Sequence, residues 1–352
     1  MRLVIQKPLQ LGAKPIGSLS VEETRRGPTP AVAVKAVLQD QGKDPAALVA
    51  AMGVRKQDMT YPTAGSTQTI RTYTPGVPAG RALPVIVYIH GGGWVIATID
   101  TYEASAMALA KKTGAIVASA EYRHAPEHCF PASHDDTFAA YQWVLQNAQR
   151  FGGDPRRVAI AGESAGGNTA VHVAIQAREQ RVQPPRHVLL VYSIAGTNLD
   201  TPSYRRNEHA VPLSKAAMEW FVRNTISSPS DLQDARLDII GAANLTGPAA
   251  SHNHQCRDRP AGVGRVAVDA EASCRRRRDH PSPLRRRDAR VLRHGRRGGG
   301  RRQGPGCRGT RLARRTGYLV PAGPFGAATR ETVDRIRERP RRVCEAAPRV
   351  TR

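Results

Sequence analysis

Apolar residues in the first two-thirds of the chain gather into short runs separated by longer stretches of helical period. Strand-like runs occur at LPVIVYI (83–89), AIVASAEYR (115–123), RRVAIAGES (156–164) and HVLLVYSIA (187–195). An alternating segment, TIRTYTPG (69–76), precedes them and stops at Pro75-Gly76. Between the runs lie ASAMALAKKTG (104–114), SHDDTFAAYQWVLQNAQRFG (133–152), AGGNTAVHVAIQARE (165–179) and SKAAMEWFVRNTI (214–226). Their apolar spacing predicts amphipathic helices, with Ser133 as an N-cap and Gly114 as a C-cap. Residues 29–53 predict one or two further helices, broken near Gly42–Pro45. Buried strands alternating with helices predict an α/β fold, a mostly parallel sheet with helices on both faces.

This pattern stops near Gly247. The chain has 352 residues and a formal net charge of +24, which at first suggests a nucleic-acid or membrane-surface binder. Residues 1–246 hold 25 Lys and Arg against 20 Asp and Glu, leaving 28 basic and 9 acidic residues beyond. Every one of those 28 is Arg. Four of the five cysteines also lie there (Cys256, Cys274, Cys307, Cys344), so Cys129 alone gives the body no internal disulfide framework. No run is apolar and long enough to span a membrane, and the N-terminus lacks the h-region and cleavage site of a secretory signal, so a cytoplasmic protein is expected.

Two glycine-rich turns carry candidate chemistry. Gly162-Glu163-Ser164-Ala165-Gly166 matches G-x-S-x-G at a predicted strand-to-helix junction. Gly162 and Gly166 are needed there because the turn is sharp. The turn lifts the Ser164 hydroxyl above the sheet, at a helix N-terminus that favours developing negative charge. His90-Gly91-Gly92-Gly93 follows another strand. Successive glycines let backbone N–H groups converge without side chains in the way, as an oxyanion hole for acyl transfer requires.

With HGGGW (90–94), EYRHAPEHCFPA (121–132) and FGGDPRRVAIAGESAGGN (151–168), residues 28–247 resemble the hormone-sensitive-lipase-like esterases, bacterial lipolytic family IV, of the α/β-hydrolase fold. The resemblance implies Ser164 as nucleophile. It implies an oxyanion hole from the Gly91–Gly93 loop, best matched by Gly92 and Gly93, together with the N–H of Ala165. It implies a cap over an acyl pocket to which residues 28–52 contribute. Trp94 and Tyr122-Arg123 would be structural or wall residues, and His90 would shape the loop. His124 stands where the family usually carries an uncharged residue and receives no role.

A serine nucleophile needs a base and an orienting carboxylate, in chain order Ser…Asp/Glu…His. The family draws these from motifs like D-P-L and G-x-T-H-E-F, and neither follows Ser164. Asp258, Asp269, Asp288, His280 and His294 occur in the tail without an apolar strand before them, so no triad Asp or His is identifiable. Out-of-frame translation of a GC-rich gene accounts for such a tail. Synonymous codons exist for Pro248–Arg265 that, read one nucleotide later, give L-P-P-A-T-I-I-N-A-E-I-D-P-L-A-S-E-G. The same offset turns codons for Arg287–Gly299 into V-T-H-E-F-F-G-M-G-A-V-V-A. The Asp codon would straddle Arg259–Pro260 and the His codon Ala289–Arg290.

The expected organisation is therefore an N-terminal arm and cap (1–60), an α/β-hydrolase core truncated at its C-terminal edge (61–247), and a disordered Arg-rich tail (248–352). The expected function is hydrolysis of short or medium acyl esters through an acyl-enzyme, impaired here by the missing triad members. Small-molecule esters are the expected partners. No cofactor, metal or specific nucleic acid is expected, and the oligomeric state is left open. Two other readings remain: a non-catalytic hydrolase-fold binding module, and a protein whose Arg-rich tail binds nucleic acid. Only Tyr318 and Phe325 could stack bases in that tail.

Overall fold

The computed structural model describes residues 2–76, 80–245 and the backbone of 251–254. Four helices open the chain: α1 (Arg2–Gln10), α2 (Val21–Arg26), α3 (Pro30–Asp40) and α4 (Pro45–Ala50). Side chains write three of their starts. Ser20 and Glu23 form a capping box, Thr29 accepts from Val32 N, and Asp44 accepts from Ala46 N. Pro30 and Pro45 then occupy first-turn positions, where a missing N–H costs nothing. The expected break near Gly42–Pro45 is where α3 and α4 separate.

The sheet follows as β1 (Val54–Thr63), β2 (Ser66–Pro75), β3 (Leu83–Ile89), α5 (Glu103–Thr113), β4 (Ile116–Ala120), α6 (Ala132–Asn147), β5 (Gly153–Glu163), α7 (Ala165–Glu179), β6 (Val188–Val191), α8 (Pro202–Arg206), α9 (Lys215–Thr225), α10 (Ile239–Ala242) and β7 (Ser251–His254). The strand order is β1-β2-β4-β3-β5-β6-β7. β1 and β2 form an antiparallel hairpin, and β2 runs antiparallel to β4. The other pairings are parallel. On one face α6 and α7 bring Phe138, Tyr141 and Val173 onto Val87 and Ile160. On the other, Met107 and Ala110 of α5 meet Tyr88 and Val117.

Three expectations need correction. The hydrolase sheet begins at Val54 rather than near 61, because β1 pairs along its whole length with β2, from Val54↔Pro75 to Thr63↔Ser66. Most of β1 is exposed and polar, with Tyr61 its one fully buried residue, so no apolar run announced it. Ser133 is not an N-cap. It lies buried in the first turn of α6, whose cap position is Pro131, with no side-chain cap bond. The sheet also does not stop at Gly247, since β7 adds to β6 in parallel, from Val188↔Ser251 to Val191↔His254. Apart from β7, the expected disordered tail lies outside the described residues.

Candidate active site

β3 and β5 are neighbours in the sheet, with Ile89 opposite Gly162. The loops leaving their C-terminal ends therefore start side by side, one carrying His90–Gly93 and the other Ser164. Ser164 adopts φ 55°, ψ −117° between the end of β5 and the first turn of α7. A non-glycine residue at positive φ is strained and persists only where its surroundings hold it. Here Ser164 N donates to Val191 O at 2.9 Å, and Ser164 O accepts from Gly167 N (3.0 Å) and Ile194 N (3.1 Å). The flanking glycines are steric requirements. A Cβ on Gly162 would run into the carbonyl of Gly166, and one on Gly166 into the carbonyls of Ile89 and His90.

Gly91 backs directly onto the nucleophile: a Cβ there would lie 3.2 Å from Ser164 Cβ and closer still to Glu163 O. Gly92 and Gly93 follow at φ 115° and 61°. The N–H groups of Gly92, Gly93 and Ala165 donate to none of the described residues. Three candidate donors thus come from the two loops flanking Ser164, and Ala165 adds the positive end of the α7 dipole. Beside them lies an apolar recess lined by Trp94, Ile194, Leu199, Met218, Phe221 and Leu237.

Other side chains hold these loops. Trp94 Nε1 donates to Thr169 Oγ1 at 3.3 Å, and Tyr122 Oη donates to His90 O at 3.1 Å. Arg123 forks onto the buried Asp136, at 2.9 Å from Nε and 2.6 Å from Nη2. That hydrogen bonding pushes the Arg123 pKa up. Arg25 of α2 reaches across to donate to Val95 O and Ala125 O, each at 2.8 Å, and pairs with Glu127. Sequence reasoning missed Glu163. Its buried carboxylate accepts from the Tyr88 and Tyr192 hydroxyls, and burial followed by the Glu163 charge pushes the Tyr88 phenol well above its usual range. Period-two alternation along β5 was the available signal, because it turns Glu163 away from the neighbouring Gly162.

No described residue hydrogen bonds to Ser164 Oγ. His90 is committed to Gly91 O through Nδ1 (2.7 Å) and to Glu121 through Nε2 (2.9 Å). His134 Nε2 meets Asn168 Oδ1 at 3.0 Å. His172 lies eight residues along α7 from Ser164, about 12 Å down the helix axis. Asp258, Asp269, Asp288, His280 and His294 lie outside the described residues.

His134 and His172 yield a pH prediction. Burial pushes them from 6.5 down to about 4 and about 3. Asn168 and Asp234 favour the charged form of His134, whereas Arg236 opposes it in both rings and His134 opposes it in His172. Folded values below the unfolded one mean that the unfolded chain takes up these protons first. Stability should therefore hold above pH ~6.5 and fall as pH drops towards 4, by roughly 2 kcal/mol per ring at pH 5. Urea unfolding across this range checks it, and His172→Gln should flatten the slope.

Residues 86–252 match the α/β-hydrolase-fold family model. A structure of an ester hydrolase from the metagenome of Lake Arreo is 31% identical with a TM-score of 0.60, covering 71% of this chain and 76% of that one. The chain belongs to the α/β-hydrolase family. Its resemblance to the hormone-sensitive-lipase-like esterases holds at the level of relatives. A carboxylesterase of Mycobacterium tuberculosis is 40% identical over 181 residues, 49% of this chain and 56% of that protein. The hyperthermophilic esterase of Pyrobaculum calidifontis is 29% identical with a TM-score of 0.63, covering 74% and 80%. The chain spans little more than half the length of the curated relatives it matches. No helix among the described residues is long and apolar enough to cross a membrane.

Proposed function

We propose that this site is that of a carboxylic-ester hydrolase acting on small acyl esters. Ser164 attacks the ester carbonyl, and the N–H groups of Gly92, Gly93 and Ala165 receive the oxyanion. The observation that carries the reading is the strained Ser164 elbow, flanked by three N–H groups that nothing described engages. The apolar side chains of Trp94, Met218 and Phe221 lie next to the glycine loop and suit an apolar acyl group over a charged one. Water then hydrolyses the acyl-enzyme, a step that needs a general base.

Among the described residues no side chain is placed to act as that base. The all-Arg basic composition beyond Gly247 and the missing D-P-L and T-H-E-F motifs support a frame change after that residue.

Two measurements test the proposal. Sequencing the DNA across the Gly247 codon should show one inserted or two deleted nucleotides relative to the shifted reading; codons incompatible with that reading end the frame argument. In a frame-corrected chain, an activated phosphonate ester should label Ser164 alone, and Ser164→Ala should abolish labelling. Label on any other residue would overturn the nucleophile assignment.

A further inference from the structure

His90, Glu121 and His124 make a constellation that ester hydrolysis does not use. His90 is fully buried, while Glu121 and His124 are mostly so, with 18% of each side chain exposed. His90 Nε2, Glu121 Oε1 and His124 Nε2 lie within 4.8 Å of one another. Glu121 Oε1 is 2.9 Å from His90 Nε2 and 3.5 Å from His124 Nε2. A tetrahedral zinc ion with bonds near 2.0–2.1 Å spaces its ligand atoms about 3.3 Å apart, so small side-chain adjustments suffice.

Hydrogen-bond logic points the same way. The Gly91 carbonyl can only accept, so the proton on His90 Nδ1 is committed to it. In the neutral ring this leaves the Nε2 lone pair facing a carboxylate oxygen. A second proton on His90 would relieve that contact but would leave His124 Nε2, which is buried without a hydrogen-bond partner, as it stands. A cation between the three atoms satisfies all of them. The supporting groups suit such a site. Gly91 O fixes the His90 tautomer, and Ile99 N donates to Glu121 Oε2 at 3.1 Å. Tyr122 stacks on His90 (4.4 Å, 16°) and meets His124 edge-on (5.0 Å, 89°), orienting both rings. Arg25, whose charge acts on His124, is itself paired with Glu127.

We propose that His90 Nε2, Glu121 Oε1 and His124 Nε2 form a binding site for a divalent transition-metal cation of zinc-like preference at the root of the oxyanion loop. Two imidazoles and one carboxylate are a donor set for zinc and its first-row neighbours, not for calcium or magnesium. Water completes the coordination. Because His90 directly precedes Gly91–Gly93, the bound ion would pin that loop to the end of β4. The site depends on His124, a position to which the sequence assigned no role, and it stands whether or not Ser164 is catalytic.

Zinc titration of the metal-free full chain tests this, with bound metal and thermal midpoint as readouts. The wild type should bind one equivalent more than His124→Leu and melt at higher temperature with zinc, whereas the variant should lose that response and bind about 100-fold more weakly at this site. Comparison of the two chains cancels metal taken up by the tail's cysteines. Equal stoichiometry and equal thermal shifts in both would overturn the site. Should His124→Leu fail to fold, X-ray absorption of the wild type with one equivalent of zinc decides. With the cysteines alkylated beforehand, two imidazoles with oxygen support the proposal, and any other donor set, or no bound zinc, refutes it.

Discussion

Restoring the shifted frame after Gly247 should raise p-nitrophenyl ester turnover by on the order of 10⁴–10⁶-fold over the present chain. That range corresponds to roughly 5–8 kcal/mol of transition-state stabilisation. The comparison is informative because both chains share the Ser164 elbow and the three unengaged N–H groups. Whatever the oxyanion hole contributes alone should appear in both. On the proposed frame change, the corrected chain would add a carboxylate across Arg259–Pro260 and an imidazole across Ala289–Arg290. Circular-dichroism melts of both proteins separate loss of chemistry from loss of fold. Equal turnover in two folded chains would mean that the present chain already owns a base, and the account of its missing partners would fall.

Replacing Gly166 with alanine should destabilise the fold by about 3 kcal/mol, read as a lowered urea midpoint. The sign makes this a sharp test. Gly166 lies in α7 and its φ is not positive, so helix propensity alone would favour alanine by about 1 kcal/mol. The added methyl, however, would press on the Ile89 and His90 carbonyls, which are backbone atoms at the end of a central strand. They can move only by parting α7 from β3. An unchanged or raised midpoint would show that the elbow is looser than its geometry implies.

The parts legible in the sequence were those where one local rule governs one local structure. α7 was expected over 165–179 and spans Ala165–Glu179, because its apolar period and glycine-rich entry agree. The Ser164 turn was readable because only a tight strand-to-helix junction calls for glycine two residues to either side of a serine. β1 was not legible, because its ten residues are stabilised by pairing with β2 rather than by an apolar face of their own. α1 is short and carries Pro8 inside it. Glu163 escaped because its partners, Tyr88 and Tyr192, come from β3 and the loop after β6. His124 escaped for the same reason: contacts distant in sequence give its ring meaning.

The Arg25 brace bears on how the protein should be produced. Its guanidinium holds the carbonyl of Val95, just past the glycine loop, and that of Ala125, just past β4. Helix α2 is thus part of the scaffold that holds the two loops. A chain beginning at Met52 or Met59 would keep the Ser164 and glycine-loop motifs but lose the Arg25 bonds to Val95 O and Ala125 O. A protein made for study should therefore include Arg25 and the helix that carries it.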